Sequence, residues 1–497
     1  MAGFVGAIDQ GTTSSRFVVY DGEGREVARH QLPHAQGLPR PGLVEHDPVE
    51  IRDNVEACVE HALRAAGLVR QDLDCIGLTN QRETVVVWSA RTGLPLAPAI
   101  VWQDTRTVDF VADLERRGLG PMIQQRTGLP LATYFSASKI RWLLDHVPGL
   151  RAAAERGEVL CGTIDSWVIW NQTGGADGGH HITDVTNASR TQLMDLDTLD
   201  WDDELLQVFG VPRQILPRIV SSTGDLDAVV APGGSLSGVP ITAVLGDQQA
   251  AMVGHGATAP GLAKNTYGTG SFLLRNTGAS AVRSSHGLLT TVCYRFADQP
   301  AAFALEGSIA VTGSAVQWLR DQLGILGSAA EVESLAGQVE DTGGVYFVPA
   351  FSGLFAPYWR PEARGLICGL SRFSNKAHLA RATLESICFQ TRDVVEAMNA
   401  DTGAAMTRLD VDGGAAANDL LMQLQADILG IPVVRPRDLE VTAFGAARAA
   451  AMTSGGFAVP DGVSRVDRVF EPEIGEGQRE DAYAGWKRAV ARALDPV

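Results

Sequence analysis

Phe4 to Ile8 is a short, nearly all-apolar run, and Arg16 to Tyr20 is a second, rich in β-branched and aromatic residues. Runs of this kind read as strands of a sheet buried on both faces. Too few residues separate them for a helix, so the pattern predicts a hairpin. Its tip carries Asp9, Gly11 and the hydroxyl run Thr12-Thr13-Ser14-Ser15. Gly11 permits a tight turn and a close ligand, and the N–H groups of Thr12, Thr13 and Ser14 can converge on phosphate oxygens. Asp9 would repel a phosphate unless a divalent cation lay between them, and oxygen-ligated Mg2+ suits that place. The same stretch also reads as an ordinary hairpin with a polar tip.

Further along, Asp47-Pro48 opens a helix that Gly67 closes, with Ile51, Val55, Val59 and Ala62/Leu63 as its apolar stripe. Cys75 to Thr79 and Thr84 to Trp88 read as strands, with Arg82-Glu83 between them. Ligands of open α/β sheets bind beyond strand carboxyl ends, which favours that pair as a contact; alone, it reads equally as a surface salt bridge. Ala99-Ile-Val-Trp102-Gln-Asp104 repeats the form, and Tyr134 begins a helical stretch where its phenol can enter a cleft or pack. Val159 to Thr163 is another strand. Gly174 to His181 is a glycine-rich loop whose adjacent His180 and His181 would face opposite ways in a strand, which disfavours a metal site. Thr183 to Thr191 is densely polar. Pro232 to Gly238 is a loop, and the strand Pro240 to Leu245 delivers Gly246-Asp247-Gln248-Gln249. Asp247 can accept a proton from an attacking hydroxyl or cap the following helix.

Lys264 to Tyr267, Gly268-Thr269-Gly270 and Ser271 to Leu274 repeat the opening hairpin in physical kind. Two such turns predict a duplicated α/β unit, two domains facing each other over a phosphate. A third glycine turn, Gly413-Gly414, follows the strand Leu409 to Asp412 and precedes a helix from Asp419 to Leu429; bare backbone there would let an aromatic base lie flat.

Composition narrows the function class. At 497 residues the chain exceeds one core and implies two or three domains, and 45% hydrophobic with 20% charged residues is a globular balance. A net charge of −17 argues against nucleic-acid and anionic-membrane surfaces, so an anionic substrate must be held by local N–H groups, Arg and metal. Met1-Ala2-Gly3 runs into the first strand without a basic or apolar leader, no apolar run reaches about 18 residues, and the six cysteines are scattered. A cytoplasmic protein with reduced thiols and no integral membrane segment is expected. The G-x-x-x-x-G-K-[ST] loop, the H-R-D loop and the third glycine of a dinucleotide fingerprint are all missing from the sequence.

Taken together, Asp9 to Arg16, Asn80 to Thr84, Trp102-Gln-Asp104, Tyr134-Phe-Ser136, Gly246 to Gln249, Tyr267 to Gly270 and Asp412 to Ala415 resemble the FGGY carbohydrate kinases, and among them the glycerol-phosphorylating members. The resemblance runs from residue 4 to beyond 450. It implies two ribonuclease-H-like domains of the actin/Hsp70/hexokinase ATPase type around a central cleft. Residues 1–254 would carry glycerol and the phosphate hairpin, and residues 255–497 the nucleotide. The implied activity is transfer of the ATP γ-phosphoryl to the 3-hydroxyl of glycerol, giving sn-glycerol 3-phosphate and ADP, the first step of glycerol catabolism. By the same match Arg82, Glu83, Trp102, Tyr134, Asp247, Gln248 and Phe272 would hold glycerol, with Asp247 as base. Thr12, Thr13, Ser14, Arg16, Thr269, Gly313, Gln317, Gly414 and Asn418 would hold ATP, and Asp9 would hold Mg2+. A homo-oligomer, dimer or tetramer, is implied as well. Two alternatives stand at this point: a kinase of a ketose or longer polyol, against which Arg82-Glu83 argues, and a non-catalytic ATP-binding protein that signals by cleft motion.

One departure concerns control. Some bacterial members bind fructose 1,6-bisphosphate through an Arg shortly before the Gly-Asp-Gln-Gln turn, and others are activated by phosphorylation of a His in that region. Here Gly238 stands in place of that Arg, and no His lies between Arg218 and Asp247. Insensitivity to both controls is expected.

Overall fold

The computed structural model describes residues 3–351, 353–454 and 466–495, apart from the side chain of Ser454. Met1 and Ala2, part of the predicted leaderless start, lie outside the described residues. The opening hairpin forms as predicted but with longer arms, Phe4–Gln10 and Ser14–Tyr20 paired antiparallel. Ser14 therefore belongs to a strand, and the turn itself is Gly11 to Thr13. The hairpin centres a five-stranded sheet in the order Ile241–Gly246, Leu73–Asn80, Phe4–Gln10, Ser14–Tyr20, Glu26–Pro33. The first two pairings in that order are parallel and the last two antiparallel.

A second sheet repeats the plan. Its seven strands run Leu289–Tyr294, Ala302–Ile309, Ser271–Gly278, Ala263–Tyr267, Leu409–Asp412, Val433–Pro436, Val466–Phe470. From Ala302–Ile309 to Val433–Pro436 the pairings are antiparallel, antiparallel, parallel, parallel, the first sheet's pattern in reverse order. The duplication expected from the two hairpins is thus present as two sheets with one topology. A four-stranded sheet that includes Val85–Ser89 and Val159–Thr163 extends the N-terminal half.

The helix Pro48–Ala66 starts and stops as the sequence predicts: Asp47 accepts from Val49 N, and Gly67 adopts the left-handed conformation. Its buried stripe, Ile51, Val55 and Val59, covers one face of the first sheet, over Ile8, Phe17, Ile76 and Leu78. The opposite face, Val5, Ala7, Cys75, Ala243 and Leu245, is covered by a segment from far down the chain, the alanine-rich helix Val441–Ser454. That helix lies in backbone contact with what it covers. A Cβ on Gly77 would stand 2.1 Å from Ala446 O, and one on Gly445 would stand 1.8 Å from Ala250 O. None of the six cysteines is in a disulfide, and five of them are buried. Among the described residues no helix is long and apolar enough to cross a membrane.

Candidate active site between the two sheets

Arg82 and Glu83 follow the strand Leu73–Asn80, on a turn where Glu83 has φ 63°, a conformation unusual for a residue with a side chain. Ser136 Oγ donates to Glu83 O at 3.0 Å and braces that turn. Neither side chain is on the surface: they are about 2% exposed, so the salt bridge open from the sequence is not a surface one. Arg82 donates from Nη1 and Nη2 to the two carboxylate oxygens of Glu306, at 2.7 and 2.9 Å, and Nη1 also reaches Gln249 Oε1 at 3.3 Å. Its Nε lies 3.2 Å from Asp247 Oδ1. Glu83 Oε1 accepts from Arg190 Nε at 2.7 Å, and Arg190 Nη2 reaches Glu306 Oε1 at 3.1 Å. Burial alone would discharge Arg82, but Glu306, Glu83 and Asp247 hold it well above its ordinary pKa. Burial pushes the Glu306 carboxyl up, and Arg190 and Arg82 overcome it and hold it at about 2. Glu83, with one such hydrogen bond, is raised by burial against the pull of the same arginines.

Asp247 is the first residue of the helix Asp247–Gly254; Gly246 takes the cap position. Its Oδ1 accepts from Gln248 N at 2.7 Å, and the side chain remains 30% exposed, so it faces the cleft with room to receive a proton. The aromatic residues assemble beside it: Trp102 meets Tyr134 edge-on at 5.4 Å and Phe272 at 6.2 Å between ring centroids. Tyr134 is held neutral, its phenol pushed up by burial and by Glu83. Lys264 completes this side. Its fully buried amine donates to Gln248 Oε1, to Thr266 Oγ1 at 2.8 Å and to Phe272 O at 3.3 Å. Burial brings it down to about 8 although Asp412 and Asp247 oppose the shift.

The tip of the opening hairpin adjoins this wall, with Trp102 Nε1 donating to Thr12 Oγ1 at 3.0 Å. The carbonyls of the tip are taken from behind: Gly11 O by Gln81 Nε2 at 3.0 Å, Thr12 O by Gln36 Nε2 at 3.0 Å and His34 Nε2 at 2.9 Å, Thr13 O by His34 N at 3.1 Å. The carbonyl fixes the proton of His34 on Nε2, and burial with His34 nearby keeps His46 neutral, at about 3. What the tip offers the cleft is therefore N–H and hydroxyl, the complement of an anion. Arg16 pairs with Glu440 of the C-terminal half and lies 3.9 Å from Asp9 Oδ2. Burial raises Asp9 to about 6, with Arg16 opposing and Glu440 and Asp247 adding. Among the described residues no three His, Cys, Asp or Glu side chains gather as a metal cage. A lone buried carboxylate with its nearest arginine at 3.9 Å fits Mg2+ all the same, because that ion keeps several waters and takes one or two carboxylates plus substrate phosphates.

Across the cleft, the second hairpin ends in the exposed Thr269, and the helix Gly313–Asp321 is fastened to it. Gly313 N donates to Gly268 O at 3.0 Å and Ser314 N to Thr269 O at 3.1 Å. Gly413, at φ 86°, lies so close that a Cβ would stand 2.5 Å from Tyr267 O, whereas a Cβ on Gly414 would meet open space. Asn418 caps the helix Asp419–Leu429, its Oδ1 accepting from Leu421 N at 2.8 Å. Gln317 is exposed, and no hydrogen bond or ring contact among the described residues links it to Gly414 or Asn418. His180 and His181 form no metal group; His181 Nε2 bonds Cys161 O at 2.9 Å.

Three residues of this site escape the motif reading: Glu306, Arg190 and Lys264. For Glu306 the available signal was a single charge in the mostly apolar run Ala302-Phe-Ala-Leu-Glu306-Gly-Ser-Ile309; Arg190 and Lys264 stand among other polar residues and carry no such signal.

Comparison with known proteins places this geometry. Residues 4–254 match the N-terminal domain model of the FGGY family of carbohydrate kinases, and residues 263–454 match its C-terminal domain model. The chain belongs to the FGGY family of carbohydrate kinases. Among curated FGGY relatives it is 59% identical to glycerol kinase 1 of Streptomyces coelicolor over 100% of this chain and 99% of that one. It is 58% identical to a glycerol kinase of Mycobacterium tuberculosis, over 99% of this chain and 96% of the relative. Among solved FGGY structures, the Plasmodium falciparum glycerol kinase with ADP superposes with a TM-score of 0.93 at 38% identity, covering 99% of both chains. A xylulose kinase from Rhodospirillum rubrum superposes with a TM-score of 0.85 at 25% identity, covering 98% of both chains.

Proposed function

We propose that the chain is an ATP:glycerol 3-phosphotransferase, giving sn-glycerol 3-phosphate and ADP. The observation that carries this reading is the junction of a charged polyol-sized site, Arg82, Glu83 and Asp247 beside an aromatic wall, with an anion-complementary hairpin through the Trp102–Thr12 hydrogen bond. The high identity to glycerol kinases over the whole chain supports the choice of acceptor.

Glycerol is small and neutral, so its recognition needs a few hydrogen bonds and a little apolar surface. Arg82 donates to one hydroxyl, Glu83 accepts from another through Oε2, Tyr134 and Gln248 complete the ring, and Trp102 with Phe272 covers the carbons. Asp247 accepts the proton of the 3-hydroxyl as its oxygen bonds the γ-phosphorus and the bond to the β,γ-bridging oxygen breaks, ADP leaving with that electron pair. The hydroxyls and N–H groups of Thr12, Thr13, Ser14 and Thr269 hold the phosphates, and Arg16 adds positive charge. Gly313, Gln317, Gly414 and Asn418 line the nucleoside end. Asp9 would hold Mg2+, which would supply charge neutralisation to the phosphates. The aromatic wall and the hairpin tip exclude water from the acceptor position.

The test is coupled ADP release across glycerol, dihydroxyacetone, xylulose, ribulose and water alone. A signal dependent on glycerol and far above the others is expected. Preference for a ketose, or ATP turnover indifferent to every acceptor, would overturn the reading.

A further inference from the structure

Glu306 occupies the middle of the strand Ala302–Ile309, whose eight residues are all buried. A carboxylate there is costly unless it is fully paired, and replacing such a group by an apolar one is often neutral or stabilising. The strand belongs to the C-terminal sheet, yet the partners of Glu306 come from the N-terminal half: Arg82 in a two-pronged contact at 2.7 and 2.9 Å, and Arg190 at 3.1 Å. With Arg190 Nε on Glu83 and Arg82 Nε near Asp247, the charges alternate along one row that is buried from Glu83 to Arg82 and ends at the part-exposed Asp247: Glu83, Arg190, Glu306, Arg82, Asp247. The guanidinium of Arg190 is further boxed by the rings of Tyr134 and Phe135, at 5.8 and 5.5 Å.

We infer that Glu306, with Arg190, is a positioning residue for the acceptor site, holding Arg82 by its two-Nη end so that it cannot turn and pair in a two-pronged way with Asp247. The inference rests on the proposed roles of Arg82, Glu83 and Asp247. An arginine presenting both prongs to Asp247 would neutralise the proton acceptor and withdraw its own donors from the polyol. Glu306 occupies those prongs and leaves the Nε edge facing the cleft. Arg190 does the complementary task for Glu83: it takes Oε1 and leaves Oε2 for a hydroxyl. Because Glu306 stands on the C-terminal sheet, the acceptor arginine is correctly set only when the two halves are docked, so acceptor recognition depends on the half assigned to the nucleotide.

Glu306→Gln keeps the shape and removes the charge. In the full-length enzyme we expect kcat/KM for glycerol to fall by about a hundredfold or more, the scale of breaking a buried pair. The acid limb of the kcat–pH profile should move to lower pH, as Asp247 gains Arg82, while the Kd for ATP stays within about twofold. Glu306→Asp should recover part of the loss. Wild-type glycerol kinetics in folded Glu306→Gln would overturn the inference, and so would equal weakening of ATP and glycerol binding with an unmoved pH profile, the mark of a merely structural role. Should Glu306→Gln not be recovered folded, Arg190→Lys reads the same row. It keeps a cation but loses the fork, and its glycerol KM should rise; an unchanged KM would overturn the inference. A wild-type enzyme inactive on glycerol would instead remove the acceptor reading on which this rests.

Discussion

Asp9 is a stability liability at the position proposed for the metal, and Asp9→Asn should separate the two roles. Its carboxyl is raised from 3.8 to about 6, chiefly by burial, with a side chain only 13% exposed and its nearest arginine at 3.9 Å. For a group raised on folding, the contribution to stability is fully present below the unfolded value and is lost as pH rises through the folded one. The window is therefore about pH 4 to 6. A rise of that size makes the ionised form cost about 3 kcal/mol. Asparagine removes that charge and leaves Arg16 with Glu440 as its one remaining carboxylate, so we expect a net gain of about 1–2 kcal/mol at pH 8, or about 1–2 °C in Tm for a chain of this length. The measurement is thermal unfolding of the purified enzyme in EDTA without nucleotide, at about pH 4.5 and about pH 8. The variant should be more stable at the higher pH and near wild type at the lower, while phosphoryl transfer falls by about a hundredfold or more. A variant less stable than wild type at pH 8, or equally stabilised at both pH values, would refute the electrostatic account of Asp9; full activity would refute its place at the metal.

Asp247→Asn should keep ATP binding and fold but lose about two to four orders of magnitude in kcat for glycerol; turnover within a few-fold of wild type would remove Asp247 as base. Arg82→Ala should raise the glycerol KM and, because it leaves Glu306 buried with one arginine fewer, also lower stability by about 3 kcal/mol or more; an unchanged KM places Arg82 outside the acceptor site. Trp102→Phe keeps the aromatic wall and removes only the donor to Thr12, so glycerol KM should stay within about threefold while ATP KM or kcat worsens by about two- to tenfold; unaltered ATP kinetics would sever that link. Fructose 1,6-bisphosphate at millimolar concentration, matched for free Mg2+, should leave the rate unchanged, since Gly238 offers no cation and Glu56 accepts from Ser235 N on the same loop; saturable, strong inhibition would reveal another basic site.

The elements that could be read in advance are those whose cause is local. Asp47, Pro48 and Gly67 delimit a helix by their own chemistry, and Gly11 with Gly268 marks hairpin turns within a few residues of the strands they join. Tyr134 was expected to begin a helix that in fact starts at Ser136, a shift of the usual size where no capping residue stands. The interior of the site was hidden because its causes are distant. Arg82 and Glu306 are separated by 224 positions, and Arg190 lies 107 from Glu83. A pattern that repeats every two residues tells that Glu306 is on a strand, not which arginine meets it. Polar burial was hidden in the same way: Thr183 to Thr191 is densely polar yet enclosed, because Asp184 accepts from Asn187 N and Ser222 Oγ, Asn187 bonds Asn80, and Ser189 Oγ meets Thr291 Oγ1.

The cover supplied by Val441–Ser454 bears on how the molecule is made. The hairpin and its sheet partners through Gly246 leave the ribosome about two hundred residues before that helix exists. During that interval Val5, Ala7, Cys75, Ala243 and Leu245 lack the cover of that helix, and the nascent chain presents an apolar face to whatever holds unfinished proteins. The first half alone would lack that cover, and a gene cut between the halves is expected to yield a sticky fragment rather than an independent module. Exchange of halves between distant relatives faces the same barrier. A foreign second half would have to bring a helix of glycines and alanines that lies as flat against Gly77 and Ala250 as the native one does.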